Sequence, residues 1–450
     1  MRKLKVTNTL TKQKELFEPL EDKLVKLYAC GVTPYSASHI GHGRSFVNVD
    51  TIVRFLRFLD YDVTYVRNIT DIDDKLLKKA EEQGDINLYK EIANTFIAST
   101  EKELEKLNCL KPDFEPRVTE NIDKIIKFIS ELIEKKYAYV ADNDVYFDVA
   151  SFADYGKLSG RNVEDMLSGT RVEVEKNKNN PADFALWKSN EDGLFWKSPW
   201  GYGRPGWHIE CSVLAKEFLA DSIDIHCGGM DLVFPHHENE KAQSECLHQK
   251  PFVKYWMHTA LLKIDKEKMS KSLGNILSLH EVLEKHDPMV LRFYFLQHHY
   301  RSPIDFSFAG LDAAKTAYKK IVNAVERAEK TELTKPLTSN DERLKSCAFV
   351  NDMIDALCDD INTPKMFGIL FEHLSDVKNN PKCAAVVTLL LQQVLGLTLQ
   401  PIDVTEITPE IQKLIGEREA ARVERNWARA DELRDELRDL GYDVQDKKLK

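Results

Sequence analysis

The sequence predicts an α/β protein in which a parallel-sheet domain is split by an insertion and followed by helical modules. Three observations predict it. Residues 24–28 read as a strand ended by Cys30-Gly31; a Gly-containing turn then leads into an apolar helix and a second strand at 62–67. The same order recurs downstream, where Ile223 and Ile225 alternate with polar residues, Gly228-Gly229 lets the backbone turn, and Pro235 opens a helix. From Leu291 onward the pattern is helical, and Thr/Pro/Ser-containing stretches at 329–340 and 400–409 read as linkers.

The first turn contains His39-Ile40-Gly41-His42. Beyond it Phe46, Val49, Val53 and Leu56 recur at helical spacing beside Ile52, Phe55 and Leu59, so that helix is largely buried. Strand, Gly turn and helix is the arrangement with which α/β folds hold phosphate, because free N–H groups and the helix dipole attract anions. Two histidines at that turn could donate hydrogen bonds to a phosphate, or serve only as structural residues. Residues 74–110 read as helical and 120–137 as an amphipathic helix. Strand-like segments at 145–149 and 183–187 flank a polar loop at 176–180, which makes 120–198 an insertion.

Gly201-Tyr202-Gly203-Arg204-Pro205-Gly206 has the spelling of a dinucleotide fingerprint. That reading fails, because Pro199-Trp200 stands where a strand should be and Pro205 lies inside the loop. Residues 252–264 are strand-like and run into Lys268-Met269-Ser270-Lys271-Ser272, which is either a polar loop suited to polyphosphate or a plain surface turn. Asn362-Thr363-Pro364 starts a further helix. Near the end Arg418, Arg422, Arg425 and Arg429 fall on one predicted helical face beside Trp427.

A chain of 450 residues exceeds one core and suggests roughly three domains. Its 43% hydrophobic and 30% charged residues are those of a soluble globular protein. The start, Met-Arg-Lys-Leu-Lys, has no apolar signal region, and the longest apolar stretch, 383–397, is broken by Gln392 and Gln393, as in a buried helix rather than a membrane span. Eight scattered cysteines with no Cys-x-x-Cys pair suggest a reduced, cytoplasmic protein whose metal sites must be assembled from distant segments. The net charge of −10 argues against a general nucleic-acid binder but leaves room for a local basic face.

His236 and Glu240 lie one helical turn apart and leave from the same face, which is half of a zinc site or else a solvated charged turn. Cys211 is a third candidate ligand. A zinc hydrolase would need a second histidine at a set spacing after His237-Glu238, and none follows.

His39-Ile40-Gly41-His42 with Lys268-Met269-Ser270-Lys271-Ser272 about 230 residues later resembles the paired signature of class I aminoacyl-tRNA synthetases. The flanks Tyr28-Ala29-Cys30-Gly31, Asn68-Ile69-Thr70-Asp71, Gly206-Trp207-His208-Ile209-Glu210-Cys211 and Phe234-Pro235-His236-His237-Glu238-Asn239-Glu240 are similar to the cysteinyl-tRNA synthetase family, and the similarity runs to about Leu440. The resemblance implies a Rossmann-type catalytic domain in residues 1–119 and 199–250, split by a connective insertion at 120–198. It further implies a stem-contact segment with the Lys-Met-Ser-Lys-Ser loop at 251–310, a helical bundle at 311–400, and a small anticodon-binding module at 401–450.

The implied activity is ATP-dependent activation of L-cysteine to cysteinyl-adenylate and its transfer to the 3' end of tRNA(Cys), by a cytoplasmic monomer without membrane association. By resemblance His39, His42, Lys268 and Lys271 are catalytic and bind ATP, together with Gly228 and Gly229. Thr70, Trp207 and Asp231 bind the amino acid. Cys30, Cys211, His236 and Glu240 hold one zinc ion, Mg²⁺ accompanies ATP, and Arg418, Arg422, Arg425, Trp427 and Arg429 meet tRNA. Ser36 stands where many relatives carry an acidic residue. Zinc suits the implied task. Shape alone separates such small substrates by about 1–3 kcal/mol, whereas a thiolate ligates zinc far better than an alcohol does.

Overall fold

The computed structural model describes residues 2–161, 177–190, 195–264, 267–268, 277–402 and 409–439. They fall into two compact units, Met1–Thr398 and Leu399–Lys450. The first is organised on a four-stranded sheet in the order Val253–Thr259, Ile223–Gly229, Leu24–Val32, Asp62–Ile69, with every neighbour pair parallel. Parallel neighbours need a crossover, and the Ile40–Phe58 helix supplies it between Leu24–Val32 and Asp62–Ile69. The residues predicted to be buried on that helix are so: Val53, Phe55, Leu56 and Leu59 are fully enclosed. Each side chain of this size contributes about 1.5–3 kcal/mol.

The strand Leu24–Val32 shifts register between Ala29 and Val32. Such a bulge adds local twist and re-aims a side chain, here that of Cys30. Gly31 is required at the bulge, since a Cβ there would lie 1.6 Å from the carbonyl oxygen of Asn68.

Two expected boundaries move. Val253–Thr259 pairs with Ile223–Gly229, so the parallel sheet continues past residue 250 and the 251–310 segment begins inside it. The insertion is a five-stranded antiparallel sheet in the order Ala138–Ala141, Asp144–Phe147, Phe184–Ser189, Gly201–Pro205, Trp196–Ser198, and so extends past residue 198. Gly201–Pro205, read above as a loop, is therefore a strand. Its glycines allow close packing: a Cβ on Gly203 would lie 2.2 Å from the carbonyl oxygen of Lys188.

Beyond the parallel sheet in sequence, Leu262–Ile264 lies between Glu267–Lys268 and Ile304–Phe306, and five α-helices follow from Phe308–Val325 to Pro381–Leu395. Asn362 caps the Thr363–Glu372 helix by accepting the N–H of Lys365 at 3.0 Å. The longest apolar stretch is the buried Pro381–Leu395 helix, ended by Gly396 at φ 61°. The wholly buried Arg292 pairs with Asp50 of the crossover helix and donates to the carbonyl of Leu395 at 2.6 Å, which joins sheet and bundle. Cys347 and Cys383 form a disulfide with Cα atoms 5.2 Å apart, a correction to the all-thiol expectation. Packing brings the two together across 36 residues, a proximity that spacing alone does not reveal. Among the described residues no helix is long and apolar enough to cross a membrane.

The second unit contains the helices Pro409–Val423 and Trp427–Asp439. Arg425 sits between them at φ 58°, so the four arginines do not share one helical face. Arg418 is buried at 4% exposure, and Arg429 faces Glu432 and Glu436 at 3.0 and 3.4 Å. Periodicity alone ran through a turn that the backbone makes. Trp427 remains 56% exposed.

Candidate active site

A cleft of about 700 Å³ opens along the sheet, bounded by the histidine turn, the Cys30 bulge, the start of the Ile209–Phe218 helix and the segment after Ile223–Gly229. At the turn His39 and His42 form a reciprocal cap. Nδ1 of His39 accepts the backbone N–H of His42, Nδ1 of His42 accepts that of His39, both at 3.3 Å, and the rings stack at 3.7 Å. With both Nδ1 atoms accepting, each neutral ring carries its proton on Nε2. Burial lowers both pKa values, that of His42 to about 3. The pair therefore offers N–H donors rather than cations at neutral pH.

Lys268 belongs to the short strand Glu267–Lys268, and Lys271 lies outside the described residues. The chain that follows the loop returns to the histidine turn. The carbonyl of Leu277 accepts the N–H of Ile40 at 3.1 Å, and Leu279 donates to the carbonyl of Ser38 at 2.8 Å.

Three segments bring Cys30, Cys211, His236 and Glu240 together, with one ligand atom of each within 4.8 Å of the others. The two sulfurs are 3.9 Å apart, Cys30 Sγ is 3.7 Å from Glu240 Oε1, and His236 Nε2 is 3.0 Å from the same oxygen. A tetrahedral zinc site with ordinary bond lengths has S···S edges of about 3.8 Å and N···O edges of about 3.3 Å. The donor set fits that ion in kind and spacing.

Burial and the neighbouring Cys211 sulfur raise the Cys30 thiol well above its ordinary range. Burial opposes ionisation of Cys211 as well, but the hydrogen bond with Cys30 and the nearby His236 bring it down to about 6. Glu240, against its burial, is held at about 2 by His226 and His236. His236 Nδ1 meets His208 Nδ1 at 2.9 Å, the outer partner that ligating imidazoles commonly have.

Sequence reasoning missed a second layer. His226 Nε2 meets Glu240 Oε2 at 2.8 Å, while His237 bridges Cys30 Sγ at 3.3 Å and His258 at 2.7 Å. Cys30, His226, His237 and Glu240 form a second converging set. Cys30, Cys211 and His236 line the cleft, whereas Glu240, His226 and His237 are not among its lining residues, so a substrate meets three members of the first set and only Cys30 of the second. No local pattern flags residues 226, 237 and 258, because strand pairing brings them together.

Thr70, Trp207 and Asp231 all line the cleft. The Trp207 ring lies 4.6 Å from that of His236, and Asp231 is near enough to His39 for its charge to raise the imidazole's pKa against burial. Gly229 lines the cleft too. Gly228 does not, and a Cβ there would lie 2.5 Å from the His237 ring. Glu210, passed over in the sequence, lines the cleft beside Thr70.

The fold is shared with solved structures of one enzyme class. *Mycobacterium tuberculosis* methionyl-tRNA synthetase in complex with methionyl-adenylate matches at a TM-score of 0.60 and 14% identity, covering 86% of this chain and 94% of that one. A putative arginyl-tRNA synthetase from *Campylobacter jejuni* matches at 0.55 and 15%, covering 83% and 92%. Residues 16–316 match the family described as tRNA synthetases class I (C) catalytic domain, so the chain contains a class I tRNA synthetase catalytic domain. Residues 404–450 match the family described as Cysteinyl-tRNA ligase anticodon binding domain.

Relatives named Cysteine--tRNA ligase match nearly end to end. That of *Anoxybacillus flavithermus* is 47% identical over 97% of this chain and 96% of its own length, and that of *Coxiella burnetii* (strain Dugway 5J108-111) is 44% identical over 98% of each. The chain belongs to the cysteine–tRNA ligase family.

Proposed function

We propose that the cleft activates L-cysteine with ATP to give cysteinyl-adenylate and pyrophosphate, and then passes the cysteinyl group to the terminal adenosine of tRNA(Cys). The observation that carries this reading is the convergence of two cysteines, a histidine and a glutamate, the first three of which line the cleft that also holds the paired-histidine turn. The cysteine carboxylate attacks the α-phosphate, and charge builds on the phosphate oxygens. His39 and His42 direct their Nε2–H groups at that charge, and donors already in place need no reorganisation as it develops. Lys268 and Lys271 hold the departing pyrophosphate, and Mg²⁺ travels with ATP as its counter-ion. Gly229 gives the adenosine close access to the strand end.

Cys30, Cys211, His236 and Glu240 hold one zinc ion, which when bound supplies a soft acceptor for the substrate thiolate and a poor one for the hydroxyl of serine. Trp207 and Thr70 wall the amino-acid side of the cleft. In the second unit Trp427, exposed at the start of its helix, offers a stacking surface for an unpaired anticodon base, with Arg422 and Arg425 beside it in sequence.

The test pairs cysteine-dependent ATP–pyrophosphate exchange with a metal determination on the same sample. In a Co²⁺-substituted enzyme the thiolate charge-transfer band should grow when cysteine is added and stay unchanged with serine. An active enzyme whose band ignores cysteine would refute selection by the metal while leaving the exchange reaction standing.

A further inference from the structure

The segment that carries Lys268 is tied at both ends to the helix that carries the histidine pair. Its far end is held at the histidine turn itself. His39 bridges Ser278, and a Cβ on Gly43 would lie 3.0 Å from Leu279 Cδ1, so the returning chain packs on the first turn of the helix. Its near end is held by Arg44, one residue past that glycine and passed over in the sequence. Arg44 is 1% exposed. Its Nη1 donates to the carbonyls of Ala260 at 2.8 Å and Leu261 at 3.1 Å. Its Nη2 donates to those of His299 at 3.2 Å, Tyr300 at 3.5 Å and Ser302 at 2.5 Å.

These carbonyls belong to the two stretches that lead into Leu262–Ile264 and Ile304–Phe306, strands that pair in parallel. Glu267–Lys268 pairs with the first of them, Lys268 opposite Lys263. One guanidinium therefore clamps the entry to both strands. Its planar fork makes this possible, because the N–H groups leave in fixed directions, whereas a lysine ammonium is a compact donor on a flexible stem. Burial lowers the pKa to about 10, against a smaller opposing effect of Tyr294, so Arg44 stays cationic at neutral pH, and no carboxylate pairs with it among the described residues. Arg292, equally buried, instead pairs with Asp50. Ala260 and Leu261 line the cleft and Arg44 does not, so whatever Arg44 does reaches the substrate through the strand it holds.

We infer that Arg44 is a positioning residue for adenylate formation: by fixing both strand entries to the start of the Ile40–Phe58 helix, it sets how far the strand bearing Lys268 stands from the Nε2–H donors of His39 and His42. Resting on the proposed cysteine activation, this puts the two sets of phosphate-facing groups on one rigid element. They can serve the same triphosphate only at the right separation, and a misplacement of about 1 Å costs on the order of 100-fold in rate. Once pyrophosphate has left, that separation no longer matters, so transfer of the cysteinyl group to tRNA is independent of the clamp.

The experiment is Arg44→Lys in the zinc-loaded full chain, which keeps the charge and loses the fork. Cysteine-dependent ATP–pyrophosphate exchange should slow by roughly 100-fold in kcat, with KM for cysteine unchanged. Single-turnover transfer to tRNA(Cys), from cysteinyl-adenylate accumulated beforehand on the enzyme with pyrophosphatase present, should run at the wild-type rate. Equal slowing of both steps would mean Arg44 only supports the fold and would overturn the inference, as would wild-type exchange or a loss confined to KM for cysteine. Should Arg44→Lys not fold, Arg44→Gln, which has two N–H donors and no charge to bury, decides by the same criteria. The wild type supplies a measurement that needs no variant. The N–H groups of Ala260 and Ile304 donate to the carbonyls of Tyr300 and Leu261, and their hydrogen exchange should be as slow as that within the Ile40–Phe58 helix; fast exchange at both refutes the clamp. A wild type without cysteine-dependent exchange of pyrophosphate refutes the proposed function instead, and the amide measurement alone then decides whether the clamp exists.

Discussion

Gly31→Ala attacks the cluster through the backbone alone, without touching a ligand. The added Cβ would lie 1.6 Å from the Asn68 carbonyl oxygen and 2.8 Å from its carbon. Non-bonded carbon is comfortable at about 3.5 Å, so strand and neighbour must part by well over 1 Å. Both are backbone in adjacent strands, and no flexible side chain can absorb the movement. Metal sites tolerate displacements of about 0.2 Å in ligand distance, several-fold less than this, so Cys30 leaves the donor set. The N–H of Gly31 also loses Asn68 Oδ1, now 2.9 Å away, which costs a further 0.5–1.5 kcal/mol or so. The expected variant is folded but less stable, binds zinc substoichiometrically, and has lost cysteine affinity with ATP binding largely kept. Zinc content by mass spectrometry, thermal unfolding and the two ligand titrations are the assay. A full zinc equivalent together with wild-type cysteine affinity would refute the claim that the bulge aims Cys30.

Two further outcomes follow from the same structure. The pKa of His42 is depressed by burial to about 3 in the folded chain against about 6.5 unfolded. Its contribution to stability is complete above the unfolded value and is lost as pH falls toward the folded one, at about 1.4 kcal/mol per pH unit. His42→Gln should therefore flatten the fall in unfolding free energy between roughly pH 6 and 4 in denaturant titrations, and parallel slopes for both proteins would contradict the burial argument. Trp427→Ala should reduce aminoacylation by roughly fivefold, the low end for one lost base stack, while leaving pyrophosphate exchange and, given its exposure, thermal stability nearly intact; equal loss in both reactions would make the residue a structural one.

Much of this was legible from local pattern. The strand, turn and helix at 24–58 could be read because hydrophobic period and glycine placement are local quantities, and His236 and Glu240 could be paired because helical geometry puts a four-residue spacing on one face. The same rule failed for the C-terminal arginines, where a positive-φ turn at Arg425 interrupts the period. Glycine and proline placement misled at Gly201–Pro205, whose glycines serve close strand packing rather than a loop. What only the tertiary structure decided is proximity across the chain. Cys30 reaches Cys211 across 181 residues because a one-residue bulge turns it inward. His237 and His258 meet behind them because parallel pairing aligns Gly228 with His258 and leaves no Cβ on Gly228 to keep His237 away. Thr70 meets Glu210 across 140 residues, and that bond settles which way the hydroxyl points. A sequence specifies residue types and local period; strand register and backbone irregularity then determine which polar atoms share a cavity, and those depend on packing between segments that no local pattern contains.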